Sequence, residues 1–283
     1  MEIVIQNKNG RLEIGGGNHP TAKLIAIEGL GLPTVEAETI KYTGQAGYKI
    51  LNRVDMHRTI TMALEFDGIP FDVMKIYRLL QEECEILFFL GDQRRKIKGI
   101  CLNPTEAENI IFKRMYKLVL QFVCERPYFE EFSDRVINLS TRTDLLPTSF
   151  EGGLGYVTLP TVATKRTAAV SILNSGDMDT YPTVKITAEE ASNGITVSNL
   201  TTRKNIVINK TIADGEVVVI DVANRTITSN LDGSLLNYLS SDTLMSEFVL
   251  QRGNNDILAT NGELNALTGQ IAYKNQYKAV VLA

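Results

Sequence analysis

Residues 54–66 read VDMHRTITMALEF, and apolar and polar side chains alternate along them. The apolar residues share one face: Val54, Met56, Ile60, Met62, Leu64 and Phe66. The polar residues share the other: Asp55, His57, Thr59, Thr61 and Glu65. Because successive side chains of a strand point to opposite faces, this alternation predicts a half-buried strand over residues 54–66.

One helix is predicted directly after this strand. Apolar residues recur at helical spacing there: Val73, Ile76, Tyr77 and Leu80. Pro70 stands in the first turn, where a missing backbone N–H is tolerated. An apolar run at 86–90, a Gly-Asp-Gln turn and a basic run at 96–102 then indicate two further strands.

A second long alternation covers residues 110–124. One side carries Ile110, Phe112, Tyr116, Leu118, Leu120, Phe122 and Cys124. The other side mixes Lys113, Lys117 and Gln121 with Met115, Val119 and Val123. Since both sides carry apolar groups, we expect this strand to be partly covered on both faces.

The second half of the chain consists of short β-branched runs separated by turn residues. The runs are AAVSILN, TVKITA, GITVSN, KNIVIN, EVVVIDV, RTITSN, MSEFVLQ, NDILAT, GQIAYKN and YKAVVLA. Turn pairs such as Asn193-Gly194, Asp214-Gly215 and Asp232-Gly233 lie between them. Strands without a crossover helix predict an antiparallel sandwich or jelly roll.

Length and composition indicate a two-domain globular protein. The chain has 283 residues, of which 44% are hydrophobic and 22% charged. Of its ten Phe and ten Tyr residues, 13 lie in residues 1–133, and a polar, glycine-ending stretch follows. We therefore expect a boundary at 134, with domains at 1–134 and 135–283.

Charge and hydropathy exclude several classes of protein. The net charge of −4 disfavours a general nucleic-acid binder, because such proteins need a cationic surface. We expect no membrane span or export signal, since the chain has no apolar run of about 18 residues and its start lacks a basic, apolar leader. Three cysteines without C-x-x-C spacing suit a reducing compartment.

The sequence offers no clear catalytic, metal or cofactor site. His19 and His57 are the two histidines, and neither lies in a metal-binding spacing such as H-x-H or H-E-x-x-H. No G-x-S-x-G or phosphate-binding glycine motif occurs. We therefore expect no catalytic residue, no metal and no cofactor, although some pair of the 33 acidic residues suited to glycoside cleavage stays possible.

Two features allow a binding function. A sandwich domain could hold sugar through Tyr181, Tyr238, Tyr273 or Tyr277, but the chain lacks Trp, which most often stacks on sugar rings. The basic run Arg94, Arg95, Lys96 and Lys98 could grip phosphate, an acidic partner or a neighbouring subunit. It could equally be a solvated hairpin tip or protect a strand edge from pairing.

The order of these features resembles the distal tail protein family of long-tailed bacteriophages. In the first half, GLGLPTVEAETIKYTGQAGYKILNR is similar to the opening segment of that family, with a G-x-x-G turn at Gly44 and Gly47. The family usually reads G-x-D/N-G at this turn, so Gln45-Ala46 departs from it. The long strand closing with FVCERPYFEEF resembles the family's Pro-Tyr-Phe ending through Pro127, Tyr128 and Phe129.

The second half adds three weaker motifs in the expected order. ILNSGDMDTYPTVKIT resembles the family's Asn-x-Gly and Pro strand pair, and GEVVVIDV resembles its hairpin ending in Asp221. FVLQRGNNDI is similar to its L-x-x-G-x-N turn. Each is turn chemistry that many β proteins share, but together they cover nearly the whole chain.

The resemblance implies a mainly β protein with an N-terminal, ring-forming β-sandwich that carries one helix and a C-terminal galectin-like sandwich. It implies a structural component of the virion tail tip, assembled in the bacterial cytoplasm as a homo-hexameric ring. Its partners would be the tail tube protein, the tail hub protein and a receptor-binding protein, with DNA only as passing cargo.

The two-sided apolar character of residues 110–124 suggests where a ring seam could form. A cyclic ring brings two different patches of neighbouring copies together, so we predict that Met115, Val119 and Val123 belong to the seam. The alternatives are a carbohydrate- or receptor-binding module and, less favoured, a cell-wall hydrolase. A glycan array and turnover of peptidoglycan distinguish them.

Overall fold

The computed structural model describes residues 1–16, 22–44, 46–67, 73–102, 104–110, 115–139, 169–188, 191–261 and 267–280, with only the backbone at 67, 73, 106–110 and 115. Two compact units make up the chain. Unit 1 comprises Met1–Phe132 and Gln276–Ala283, and unit 2 comprises Ser133–Asn275. Residues 276–283 were predicted to belong to the second domain, whereas the described residues Gln276–Val280 pack in unit 1, because Val280 is buried in that core.

Unit 1 contains thirteen elements that are described. They are β1 (Glu2–Asn7), β2 (Gly10–Ile14), β3 (Lys23–Glu28), β4 (Val35–Ile40), β5 (Lys49–Asp55), β6 (Arg58–Asp67), α1 (Val73–Leu80), β7 (Cys84–Leu90), β8 (Gln93–Cys101), β9 (Thr105–Ile110), β10 (Met115–Cys124), β11 (Phe129–Glu130) and, from the last segment of the chain, β22 (Gln276–Tyr277). All strand pairs between these named strands are antiparallel.

One long sheet folds around the core of unit 1. Its order is β2-β1-β7-β8-β10-β6-β3, with β9 beside β10 and β11 between β8 and β22. Buried residues from both halves of the sheet, such as Ile5 and Phe88 in one and Leu64 and Leu120 in the other, share one hydrophobic cluster. The two halves join where Cys101 and Ile100 of β8 pair with Phe122 and Val123 of β10, and at the neighbouring Gly99 an added Cβ would lie 2.8 Å from the Sγ of Cys124.

The predicted strand over residues 54–66 is in fact two strands with different environments. Ile60, Met62, Leu64 and Phe66 lie in β6 and are at most 2% exposed, as the alternation predicts. Val54 belongs to β5 and is 51% exposed. The strands separate at residues 56–57, where the N–H of Met56 donates instead to the carbonyl of Thr34.

The helix and the second long strand agree with the sequence in part. Helix α1 occupies the predicted place with eight residues, about two turns where the apolar spacing predicted about three, and Pro70 lies outside the described residues. Ile110 is the last residue of β9 and residues 115–124 form β10, whose apolar side from Tyr116 to Cys124 is buried. Phe112 and Lys113 lie outside the described residues.

Unit 2 is a sandwich of antiparallel sheets. Its strands are β12 (Arg135–Asn138), β13 (Val170–Asn174), β14 (Thr183–Ala188), β15 (Ser192–Asn199), β16 (Lys204–Ile212), β17 (Val217–Asp221), β18 (Thr226–Ser229), β19 (Gly233–Ser234), β20 (Gly253–Thr260) and β21 (Leu267–Tyr273). One sheet has the order β12-β21-β14-β17-β18-β19, and the other has β13-β20-β15-β16. Their inward-facing Ile, Val and Leu residues form one cluster, in which Ile186, Val197, Ile220 and Ile257 are fully buried.

The mainly β fold class predicted from the sequence is confirmed, and two of the predicted strands need correction. MSEFVLQ is not a strand: Met245–Glu247 form a short 3-10 helix, and Leu250 makes only an isolated bridge with Thr180. YKAVVLA contributes one residue to the two-residue strand β22 of unit 1. None of the helical segments in the described ranges is long and apolar enough to cross a membrane.

Candidate assembly surfaces in unit 1

The residues predicted to form a seam lie on β10, and the structure describes two of their side chains. Val119 and Val123 alternate with Leu118, Leu120 and Phe122, so they point away from the core, and both are half-buried. Met115 begins the same strand, but its side chain lies outside the described residues. The two valines therefore stand on the outer face of the sheet.

The neighbouring strands extend this outer face. Val119 pairs with Ala63 of β6, and Val123 pairs with Thr59 of β6 and Ile100 of β8. Ile100 is 41% exposed. Next to this apolar area, Lys117 of β10 and Lys23 of β3 are the cross-strand neighbours of Glu65 in β6. We call this surface, made of Ala63, Ile100, Val119 and Val123, the outer sheet face.

A second surface was missed by the sequence analysis, the hairpin of β4 and β5. Among the described strands, these two pair only with each other and form a separate two-stranded sheet. Nearly every residue of both strands is exposed, including Ile50 (64%), Leu51 (53%) and Val54 (51%). A two-stranded ribbon is at best marginally stable in water, and its exposed apolar groups make the hairpin a candidate contact surface.

The tip of the hairpin combines two glycines with exposed aromatic residues. Gly44 and Gly47 have φ values of 86° and 94°, a conformation that glycine adopts without strain. Tyr48 is 69% exposed, and the Nζ of Lys41 lies 5.8 Å from the centre of its ring. Gly44 and Gly47 therefore lie between β4 and β5, where the sequence indicated a turn, and Gln45 lies outside the described residues. The sequence alternation includes residue 54 and therefore predicted a buried face in a part of the hairpin that is exposed.

The root of the hairpin is fixed by a buried arginine. Arg58 is 3% exposed, and its guanidinium donates to four backbone carbonyls, those of Pro127, Gly29, Gly31 and Lys278. The guanidinium carbon also lies 4.6 Å from the centre of the Phe129 ring. Such a cation needs these acceptors, because burying an unpaired charge is costly.

The sequence itself marks Arg58 as unusual. It occupies the apolar register of the alternation in residues 54–66, between Met56 and Ile60. A charged side chain in a buried register predicts a specific set of hydrogen-bond partners. Its partners themselves come from distant segments, so the sequence could indicate that a site exists but not what forms it.

A second polar group lies at the same root. The Nζ of Lys278 is 3.0 Å from Oδ2 of Asp55, and the hydroxyl of Tyr128 donates to this same oxygen at 2.8 Å. Burial alone would raise the pKa of Asp55, but the hydrogen bonds from Lys278 and Tyr128 and the nearby positive charges bring it below its usual value. Burial, together with the bond to Asp55, raises the pKa of Tyr128 to about 12.

The cysteines of unit 1 are packing residues in this structure. All three are free thiols and buried. Burial raises the pKa of Cys84 to about 11 and that of Cys124 to about 12. Because the thiolate is the nucleophile, these two thiols are unreactive near neutral pH.

The basic run has partners inside unit 1. The guanidinium carbon of Arg95 lies 3.6 Å from the centre of the Tyr277 ring, and Lys96 forms a 2.8 Å ion pair with Glu85. Arg94 and Lys98 are exposed on the same strand, β8. Part of the run thus stabilises the β8 and β22 region, a role that the sequence pattern alone does not indicate.

The candidate sugar-binding tyrosines are dispersed, and one of the two histidines lies within the described residues. In unit 2, Tyr181 and Tyr238 are 46% and 45% exposed, whereas Tyr273 is buried and donates to the carbonyl of Leu173. His57 is exposed, and His19 lies outside the described residues. Within the described ranges, no three His, Cys, Asp or Glu side chains are grouped so that they could hold a metal ion.

Comparison with known proteins gives a family match for the C-terminal region and structural matches for the whole fold. Residues 175–277 match the family model described as siphovirus-type tail component, C-terminal domain. No protein among the curated ones matches the chain. The family resemblance indicated by the sequence motifs is thereby confirmed for the C-terminal region.

Solved structures extend the likeness to the whole fold. The crystal structure of SPP1 Dit, described as a paradigm of the hub adsorption apparatus in phages that infect Gram-positive bacteria, superposes with a TM-score of 0.65 at 15% identity, covering 89% of this chain and 92% of that one. A chain of the phage P2 baseplate in its activated conformation with Ca gives 0.55 at 11% identity, covering 99% of each chain. The same baseplate with Sr gives 0.51 at 12% identity, covering 96% and 97%. The chain therefore has a Dit-like fold.

Proposed function

We propose that this chain, whose residues 175–277 carry a siphovirus-type tail component domain on a Dit-like fold, is a structural protein of a phage tail tip. In this proposal it forms a closed ring, of six copies, that connects the tail tube to the hub of the baseplate. The matched structures come from a hub protein and from baseplates, which supports a place among such assemblies.

The observation that carries the ring is the uncovered hairpin of β4 and β5. Both of its faces are exposed and hold Ile50, Leu51 and Val54, so the isolated chain leaves apolar surface in water. A neighbouring copy that covers the hairpin removes the free-energy cost of exposing this apolar surface to water. We therefore assign the hairpin as one side of the seam.

The outer sheet face is the other side of the proposed seam. A cyclic ring needs two different surfaces that fit each other, because each copy meets its neighbour head to tail. Val119 and Val123 provide apolar contact, and Lys23, Glu65 and Lys117 provide charges beside it. Glu36 and Glu38 of β4 supply acidic partners on the hairpin.

The charge of the chain is compatible with DNA passing through the ring. With 29 basic and 33 acidic residues, the net charge is −4. Basic walls would bind phosphates and retard DNA, whereas a neutral or acidic wall lets it slide. In this role DNA is cargo, and the lasting partners are the tube protein, the hub protein and a receptor-binding protein.

Mass measurement by light scattering over a concentration series, with negative-stain images of the largest species, tests the ring. We expect a species near six times 31.4 kDa with a central hole. The same measurement is repeated after co-expression with the tube and hub proteins, in case the ring closes only on its partners. A monomer under both conditions contradicts the proposal.

The second candidate function is a carbohydrate- or receptor-binding module, favoured by the exposure of Tyr181 and Tyr238. Aromatic faces bind sugar rings, but the chain has no Trp, so we rank this function below the ring. Specific signals on a glycan array that are lost in Tyr181→Ala or Tyr238→Ala would favour it. We propose no catalytic activity, and turnover of purified peptidoglycan would contradict that.

A further inference from the structure

The segment Gln276–Val280 belongs to unit 1, although all of unit 2 precedes it in the chain. Strand β22 pairs with β11, joining Tyr277 to Phe129 and Gln276 to Glu130. Val280 is 4% exposed and lies in the hydrophobic cluster of unit 1. Tyr277 packs under Arg95 and donates to Glu131. We call this segment the return segment.

The return segment contacts the chain on both sides of the hairpin. The N–H of Val280 donates to the carbonyl of Leu30 at 2.9 Å, shortly before β4 begins at Val35. The Nζ of Lys278 lies 3.0 Å from Asp55, the last residue of β5. The return segment therefore holds the start of one hairpin strand and the end of the other.

Arg58 connects these contacts into one group. It stands at the start of β6, and its Nη1 donates to the carbonyls of Gly29 and Gly31 before β4. Its Nη2 donates to the carbonyl of Lys278 at 2.6 Å. Without the return segment, Arg58 loses one of its four acceptors and Asp55 loses its ion pair, so the root of the hairpin is less constrained.

We propose that the return segment is a latch that positions the hairpin for self-association, and that it closes only after unit 2 has been synthesised. Domains that are continuous in sequence can fold as they leave the ribosome, N-terminal first. In this chain, by contrast, the residues that complete unit 1 are synthesised after unit 2. The order of synthesis thus delays self-association until unit 2 is present. This inference rests on the proposed function insofar as the hairpin forms the seam.

The test uses full-length protein and three variants. Val280→Ala removes two methyl groups from the latch, and termination after Asn275 removes the latch entirely. Val222→Ala is the matched control, because Val222 is a valine of unit 2 that is 1% exposed. Hydrogen exchange is followed at the N–H of Met56, which closes the hairpin root on the carbonyl of Thr34, and oligomer mass is measured in parallel.

We expect Val280→Ala to speed exchange at Met56 about tenfold, as the loss of a well-packed valine would, while Val222→Ala leaves it unchanged. We expect the chain ending at Asn275 to lose this protection and to stay monomeric. A synthetic peptide of residues 274–283 added in trans should restore both properties. Native exchange at Met56 and normal assembly of the shortened chain would overturn the latch.

The two readouts separate this proposal from the ring. If full-length protein never assembles, the ring is wrong, and exchange at Met56 still decides whether the return segment holds the hairpin. If full-length and shortened chains assemble alike, the ring stands and the latch is wrong. If the shortened chain does not fold, the latch is judged by comparing hydrogen exchange at Met56 in Val280→Ala with that in Val222→Ala.

Discussion

The guanidinium of Arg58 donates through Nη2 to the backbone carbonyl of Lys278 at 2.6 Å, although 220 positions separate the two residues in the chain. The same side chain reaches Gly29, Gly31 and Pro127. One buried cation therefore joins four segments that come together only in the folded unit. Two predictions for stability follow from this site.

Arg58→Met should lower the free energy of unfolding of unit 1 by about 3 kcal/mol, because several buried carbonyls lose their donor together. Chemical denaturation, followed with a probe in unit 1, measures the change. Arg126→Met is the matched control, since Arg126 is exposed and should alter stability little. Equal stability of the two variants would show that water replaces the guanidinium without cost.

Gly29→Ala should destabilise unit 1 by about 3 kcal/mol or more. Its φ is +89°, and an added Cβ would lie 2.0 Å from the carbonyl oxygen of Thr59, so both the backbone and the neighbour would have to move. Gly31→Ala is the control, because no atom lies within 4 Å of its added Cβ although its carbonyl also binds Arg58. Thermal unfolding of the two variants separates the steric clash of the added Cβ from the general loss of glycine's backbone freedom.

Leu51→Arg should prevent ring formation while leaving the fold intact, because it places a charge on the exposed hairpin. Light scattering gives the oligomer mass, and circular dichroism checks the fold. Leu244→Arg is matched to it, since Leu244 is 59% exposed and Leu51 53% exposed, and Leu244 belongs to unit 2. A Leu51→Arg protein that assembles normally would remove the hairpin from the seam.

Val119→Arg and Val123→Arg should each shift the ring towards monomers by placing a charge in the outer sheet face. Assembly should weaken by at least about tenfold in concentration, as is common when a central interface residue is disrupted. Val219→Arg provides the comparison, because Val219 is a half-buried valine on a strand of unit 2. Assembly that is unaffected by both changes on β10 would place the seam elsewhere.

Acid should weaken unit 2 through Glu216. Burial alone would raise the pKa of this carboxylate, but the hydroxyl of Ser229, the N–H of Ala213 and the ammonium of Lys210 bring it below 4.5. A lowered folded-state pKa means that the stabilisation is present above pH 4.5 and is lost as the pH falls through the folded-state value.

Glu216→Gln removes this titration, so the stability of its unit 2 should depend less on pH below 4.5 than that of the unchanged protein. Denaturant unfolding at a series of pH values measures the slope. Glu247→Gln is a suitable control, because Glu247 pairs with Lys204 at an exposed position. An unchanged acid slope in Glu216→Gln would assign the acid sensitivity to other groups.

Local patterns predicted those parts of the fold in which one face is buried by the same unit. The side chains of Ile60, Met62 and Leu64 are buried as the alternation requires, because a one-residue shift in a half-buried strand would expose all of them. The helix at Val73–Leu80 was predicted for the same reason, since its apolar residues recur on one side.

The hairpin and the return segment could not be predicted by these rules. Ile50 and Val54 are apolar but exposed, so a pattern that equates apolar with buried places them in a core. The run YKAVVLA looks like any other strand of the second half, and its pairing with β11 depends on a contact between segments 146 positions apart. Such pairing depends on the tertiary fold.

The pairing of Glu130 with Gln276 has a consequence for how such proteins can diversify. The backbone leaves unit 1 and re-enters it on adjacent strands, at points about 5 Å apart. Any module whose own ends lie close together can occupy the interval without changing the register of the strands that receive it, since closing the chain between fixed points adds little entropy. Unit 2 can thus be replaced or enlarged without a change in the register with which β11 and β22 pair.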